Sequence, residues 1–176
     1  MRNLAISAAA ALALAASPAF AQASSTGTVD VSGSVAGRCL FTLPTEAITL
    51  GELSLSGTDG NAGRLDTTKV DTRDATLTGW CNASAATIKV EAQPLLNTAL
   101  ATDAAFTNRI DFTATAAANG VAATDTSTSP AVGAEQNVGL FSGNVVVTLS
   151  QASAAGKLLV AGAYDGKVLV TLAPNI

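Results

Sequence analysis

From Thr28 to Leu172 the apolar residues fall into separate runs in which every second position is apolar, the period of a strand with one buried face. Val29, Val31 and Val35 share one side with Gly33 between them, and Asp30, Ser32 and Ser34 share the other. Val70, Ala75, Leu77, Gly79 and Cys81 form a second run, interrupted by the charged stretch Asp71 to Asp74. Ile88, Val90 and Ala92 alternate with Thr87, Lys89 and Glu91, and Ile110, Phe112 and Ala114 alternate with Asp111 and Thr113. Val145, Val147 and Leu149 come next, and Val168, Val170 and Leu172 close the series. The clusters Ser56 to Gly63, Asn82 to Ala85, Ala118 to Gly133 and Ala161 to Gly166 separate these runs, and their Gly, Asn, Asp and Ser residues favour turns. Many short strands joined by turns predict an all-β antiparallel sandwich. Two stretches stand apart. Leu96 to Ala105 is alanine-rich enough for a short helix, against which Thr98, Thr102 and Asp103 weigh. Ala116 to Ala134 reads as a long solvated connection.

The N-terminus follows another pattern. Arg2 and Asn3 precede an apolar run from Leu4 to Ala16, and Ser17 and Pro18 break it just before Ala19-Phe20-Ala21. This is the form of a secretory signal, residues 1–21, with cleavage after Ala21, or after Ala23 if Ala21-Gln22-Ala23 is the site. The run is too short to span about 30 Å of hydrocarbon as an anchor. Removing 21 of the 176 residues leaves 155, enough for one domain with a real core. Export places Cys39 and Cys81, 42 positions apart, where disulfides persist, and a bridge closing that loop is worth about 4 kcal/mol on the loop-entropy model. Two free thiols or half a metal site is the rival reading, and no histidine exists to complete such a site.

Composition narrows the chemistry. With net charge −4 and no basic cluster, neither nucleic acid nor an anionic membrane is an expected partner. The absence of histidine removes Ser-His-Asp and Cys-His catalysis. Lysines occur only at 69, 89, 157 and 167, all but Lys157 in strand-like alternation, which argues against a Ser-Lys hydrolase. Asp66, Asp71, Asp74 and Asp111 are candidate acids for glycoside hydrolysis, but no spacing selects a pair. Asp59-Gly60-Asn61 weakly resembles a calcium loop without its downstream glutamate, and Asn82-Ala83-Ser84 matches a glycosylation sequon. The expectation is a non-enzyme with no cofactor and no metal. Trp80 and Tyr164, the only residues of their kinds, are expected to pack the core.

Thr26-Gly27-Thr28-Val29-Asp30-Val31, followed by Gly37-Arg38-Cys39, resembles the mature N-terminus of the spore coat protein U family, the major subunits of archaic chaperone–usher pili. Leu77 to Cys81 fits that family's second bridge position, and Gly162-Ala163-Tyr164-Asp165 with Val168, Val170 and Leu172 is similar to its closing Gly-x-Tyr-x-Asp and terminal strand. The resemblance implies an immunoglobulin-like sandwich lacking its last strand, over residues 38–176, preceded by a donor-strand extension at 22–37. It also implies that a periplasmic chaperone, and then the N-terminal strand of the next subunit, fills the open groove at an outer-membrane usher. Val29, Val31, Gly33 and Val35 then form the donated face, main-chain hydrogen bonds give affinity, and the alternate side chains fill pockets. The competing assignment of that stretch is an ordinary first strand paired within its own domain.

Two functions from different classes follow. One is a structural pilin, polymerised head to tail, exported through the periplasm and displayed as a surface fibre for adhesion and biofilm formation. The other is a secreted immunoglobulin-like binding module or adhesin that recognises sugar or protein through its loops, with Ala116 to Gly133 foremost.

Overall fold

The computed structural model describes residues 24–175, so the expected signal, 1–21, lies outside the described residues. The described chain divides after Ser34 into an N-terminal piece and a folded unit beginning at Val35. Ten strands make up that unit: β1 (Cys39–Leu43), β2 (Asp74–Cys81), β3 (Thr87–Leu96), β4 (Phe106–Thr107), β5 (Arg109–Ala118), β6 (Val121–Thr126), β7 (Gln136–Asn137), β8 (Phe141–Ser153), β9 (Leu158–Leu159) and β10 (Asp165–Ala173). A single 3₁₀ turn, Thr67–Lys69, is capped by the Asp66 carboxylate, which accepts the Thr68 amide. The fold is all-β, as the alternation predicts.

The strands follow the order β1-β2-β8-β5-β3-β10, with β6 added to β5 and β7 to β3. Every neighbouring pair on that path is antiparallel, and β4 pairs with β9 in a separate short parallel ladder. The apolar face of each central strand turns inward. Ile88 and Val90 of β3, Ile110 and Ala114 of β5 and Val145 of β8 are fully buried, and Phe112, Val147 and Leu149 are nearly so. Alanine at 114, 116, 118 and 123 fills much of the core where bulkier side chains are common, so small residues take the place of the scarce aromatics. Gly166 serves a specific purpose at the start of β10. The β10–β3 register shifts beside Pro94, and a β-carbon on Gly166 would lie 2.9 Å from the Pro94 carbonyl oxygen.

Several expectations are corrected. Residues 97–105 contain no helix; Asn97 and Asp103 cap local turns by accepting the amides of Ala99 and Ala105. Ala116 to Ala134 is not a single solvated loop. It holds the end of β5, the hairpin turn Asn119-Gly120 with φ of 51° and 75°, and all of β6. Asn-Gly is the sequence pair that a two-residue hairpin with positive φ at both positions demands. Val70 caps the 3₁₀ turn and is buried, rather than leading β2, and Lys69 belongs to the same turn. Trp80 is half-buried outside the core cluster. Because Gly79 and Cys81 face inward on β2, the alternation turns Trp80 outward.

Candidate functional site

The strand path has two ends, β1 and β10, and the core reaches the surface between them. Among the described residues β10 pairs only with β3. After β1 the chain continues through Pro44 to Glu52, and among the described residues no backbone–backbone hydrogen bond involves any of that stretch. A groove of about 560 Å³ runs between this stretch and β10. Its floor is core: Leu77, Phe112, Val147 and Leu149 from the sheet behind it. Its walls are Phe41, Ile48 and Leu50 on one side and Val168 and Val170 on the other. A more polar cavity of about 730 Å³ shares Ile48, Leu50, Leu95 and Gly166 with it and extends the depression towards Ser54 and Val160. At the opposite end Leu172 reaches across to β2. A β-carbon on Gly79 would sit 3.3 Å from the Leu172 side chain and 2.9 Å from the Leu40 carbonyl oxygen, so only glycine lets the strands close there.

The seam offers an incoming extended chain a backbone edge. Among the described residues β10 has a ladder partner on one side only, so its other edge can accept an added strand. The inward positions Val168, Val170 and Leu172 are half-buried, although their β3 partners Ala92, Val90 and Ile88 are buried. β10 ends the strand path among the described residues, so its inward side chains have a ladder neighbour on one side only. Leu169, on the outward side of β10, is 45% exposed.

The sequence-identified C-terminal motif anchors β10. The Tyr164 hydroxyl donates towards the carbonyl oxygens of Thr107 and Val160, each at 3.0 Å, and its ring packs on the core. Burial pushes its ionisation above the ordinary tyrosine value. Gly162, at φ 138°, lies against Asn97, where a β-carbon would stand 2.7 Å from the side-chain nitrogen. That buried Asn97 amide donates to the carbonyls of Val160 and Ala161. Gly162 and Tyr164 therefore fix the approach to β10, while Asp165 is exposed and opens the strand opposite Leu96.

Cys39 and Cys81 form a disulfide that joins β1 to β2 at directly paired positions, with a Cα–Cα distance of 4.2 Å. Beside it Asn82 clamps the chain entering β1. Its Oδ1 accepts the Arg38 amide, its Nδ2 donates to the Ala36 carbonyl, and its own amide donates to the Arg38 carbonyl. The sequon asparagine is thus engaged through both side-chain polar atoms. Nothing in the sequon marks this role; the bonds span 44 and 46 positions.

Among the described residues, 24–38 form no strand and join no ladder. Val29, Val31 and Val35 are 85%, 91% and 87% exposed. The three valines are left in water, and burying them is worth about 1.5 kcal/mol or more each.

The candidate acids are each engaged in local structure or exposed. Asp66 caps the 3₁₀ turn, Asp71 accepts the Ala152 amide, and Asp111 accepts bonds from Arg109 and the Ser127 hydroxyl. Asp74 is exposed at the start of β2, and Asp59 accepts the Asn61 amide in a local turn. Among the described residues no three His, Cys, Asp or Glu side chains gather in a metal-binding arrangement. No family model, curated protein or solved structure matches this chain.

Proposed function

We propose that the chain is a structural pilin subunit that polymerises when the N-terminal segment of one copy enters the β10 groove of the next. The carrying observation is the pairing of two incomplete features: an apolar groove beside the open edge of β10, and a segment of strand period whose valines are exposed. Each supplies what the other lacks, since main-chain bonds satisfy the edge and the valine face covers the groove floor. The resemblance to the spore coat protein U family supports the same reading. It adds export through the periplasm, transient cover of the groove by a chaperone, delivery at an outer-membrane usher, and a surface fibre used for adhesion and biofilm. On this reading the protein is not an enzyme.

Val31→Asp tests the proposal. An aspartate at that position must either stay out of the groove or enter it without a partner, at a cost of several kcal/mol. Purified wild type is expected to form ladders that resist mild denaturant on electrophoresis, and the variant to run as a monomer with an unchanged circular dichroism spectrum. Ladders of equal length from both proteins would remove the segment from the assembly.

A further inference from the structure

Asp30 is the only charged residue from Ser24 to Gly37. The groove of about 560 Å³ is lined by only two charged residues, Glu46 on one wall and Lys167 on β10. The described residues hold two ion pairs, Lys89–Glu135 and Arg109–Asp111, and Lys167 belongs to neither. On the β3 side its outward neighbours are Gln93, directly opposite, and Glu91 two residues further along, with Gln93 donating to the Glu91 carboxylate at 2.9 Å. The free edge of β10 therefore carries an exposed ammonium with no carboxylate of the described residues within ion-pair distance.

Building on the pilin reading, we propose that Lys167 reads Asp30 of the incoming copy and thereby sets the register of the donated strand, with Asp30 beside Lys167. Parity requires valines to meet the inward residues Val168, Val170 and Leu172, which leaves Asp30 on the outward side with Lys167, Leu169 and Thr171. With Asp30 opposite Lys167, an antiparallel donor sets Val29 against Val168 and a parallel one sets Val31 there. Both put the Asp30 and Lys167 β-carbons within reach of a lysine side chain. A slip of two residues towards the end of β10 moves Asp30 opposite Leu169, with Lys167 only a diagonal neighbour, and a slip of four moves it to Thr171 and loses the pair. Valine, glycine and serine are interchangeable enough along the segment that apolar burial alone distinguishes these registers poorly, whereas a single charge pair marks one position.

Two single charge reversals, Asp30→Lys and Lys167→Asp, test this in the full chain. Alone, each sets like charges against each other at every junction and should slow assembly by about three- to tenfold at low ionic strength. When the two variants are mixed in equal amounts, the lysine introduced at position 30 of one meets the aspartate introduced at position 167 of the other. The unchanged Asp30 of the second in turn meets the unchanged Lys167 of the first. The mixture should therefore assemble within about twofold of wild type, in an alternating copolymer. The defect of the single variants should fade at about 1 M salt, where the Debye length is only about 3 Å. Rescue on mixing also shows that both variants fold. If the single variants assemble like wild type while Val31→Asp does not, the charge pair is wrong and the donated strand stands. Single variants that stay defective after mixing overturn the pair as well, and a wild type that never assembles overturns both.

Discussion

Tyr164 joins three parts of the chain with one hydroxyl, since its acceptors lie in β4 and in the segment leading to β10. Its ionisation is raised by burial, so the folded state holds the proton more firmly than the unfolded chain. The contribution is fully present below the unfolded value of about 10 and is lost as pH rises through the raised folded value. Chemical denaturation between pH 8 and about 11.5 should show wild type losing stability at the alkaline end. Tyr164→Phe should be less stable by about 1 kcal/mol at pH 8 and should lack that alkaline component. Identical alkaline profiles would show that another group carries the loss. The tyrosine was legible in the sequence as a core aromatic; its hydrogen-bond partners were not, because Thr107 lies 57 positions away. Trp80 went the other way. Proximity to a bridge cysteine suggested the core, but adjacent positions on a strand face opposite sides, and Cys81 had already taken the inner one.

β1 is short and pairs on one side only, through Cys39, Leu40, Phe41 and Leu43. Three constraints keep it in place: the disulfide, the Asn82 clamp and Phe41 packed against the core. Replacing both cysteines by alanine should cost about 2 to 4 kcal/mol. Amide exchange should rise most in β1, whose remaining cross-strand bonds are few, while β5 and β8 stay protected between partners on both sides. Equal loss of protection in β8 would mean that the bridge supports the whole sandwich instead of its edge. At this scale the alternation was a reliable guide wherever a strand was buried on one face, as in β3, β5, β8 and β10. It misplaced Ala116 to Ala134, because the alanines and threonines of β6 carry little contrast in hydropathy. There the Asn119-Gly120 turn was the stronger signal.

At the scale of the molecule, a sheet path that ends on β1 and β10 leaves a seam, and among the described residues Ser24 to Val35 belongs to no ladder. Deleting Ser24 to Val35 should therefore leave unfolding stability within about 0.5 kcal/mol of wild type, while abolishing ladders on electrophoresis. Unfolding of the shortened chain would mark the segment as an internal strand and end the pilin reading. The sequence by itself determined the strand period, the inward faces, the pairing of the only two cysteines and the amphipathic character of Val29 to Val35, because these depend on local alternation and on counting. Only the tertiary structure decided that, among the described residues, β10 ends the sheet and 44–52 make no backbone–backbone hydrogen bond, and that Leu77, Phe112, Val147 and Leu149 reach the floor of a groove. The same alternation describes a strand whether its second edge is filled or empty. Edge occupancy is set by which distant strands meet, and that information lies in packing rather than in any local run of residues.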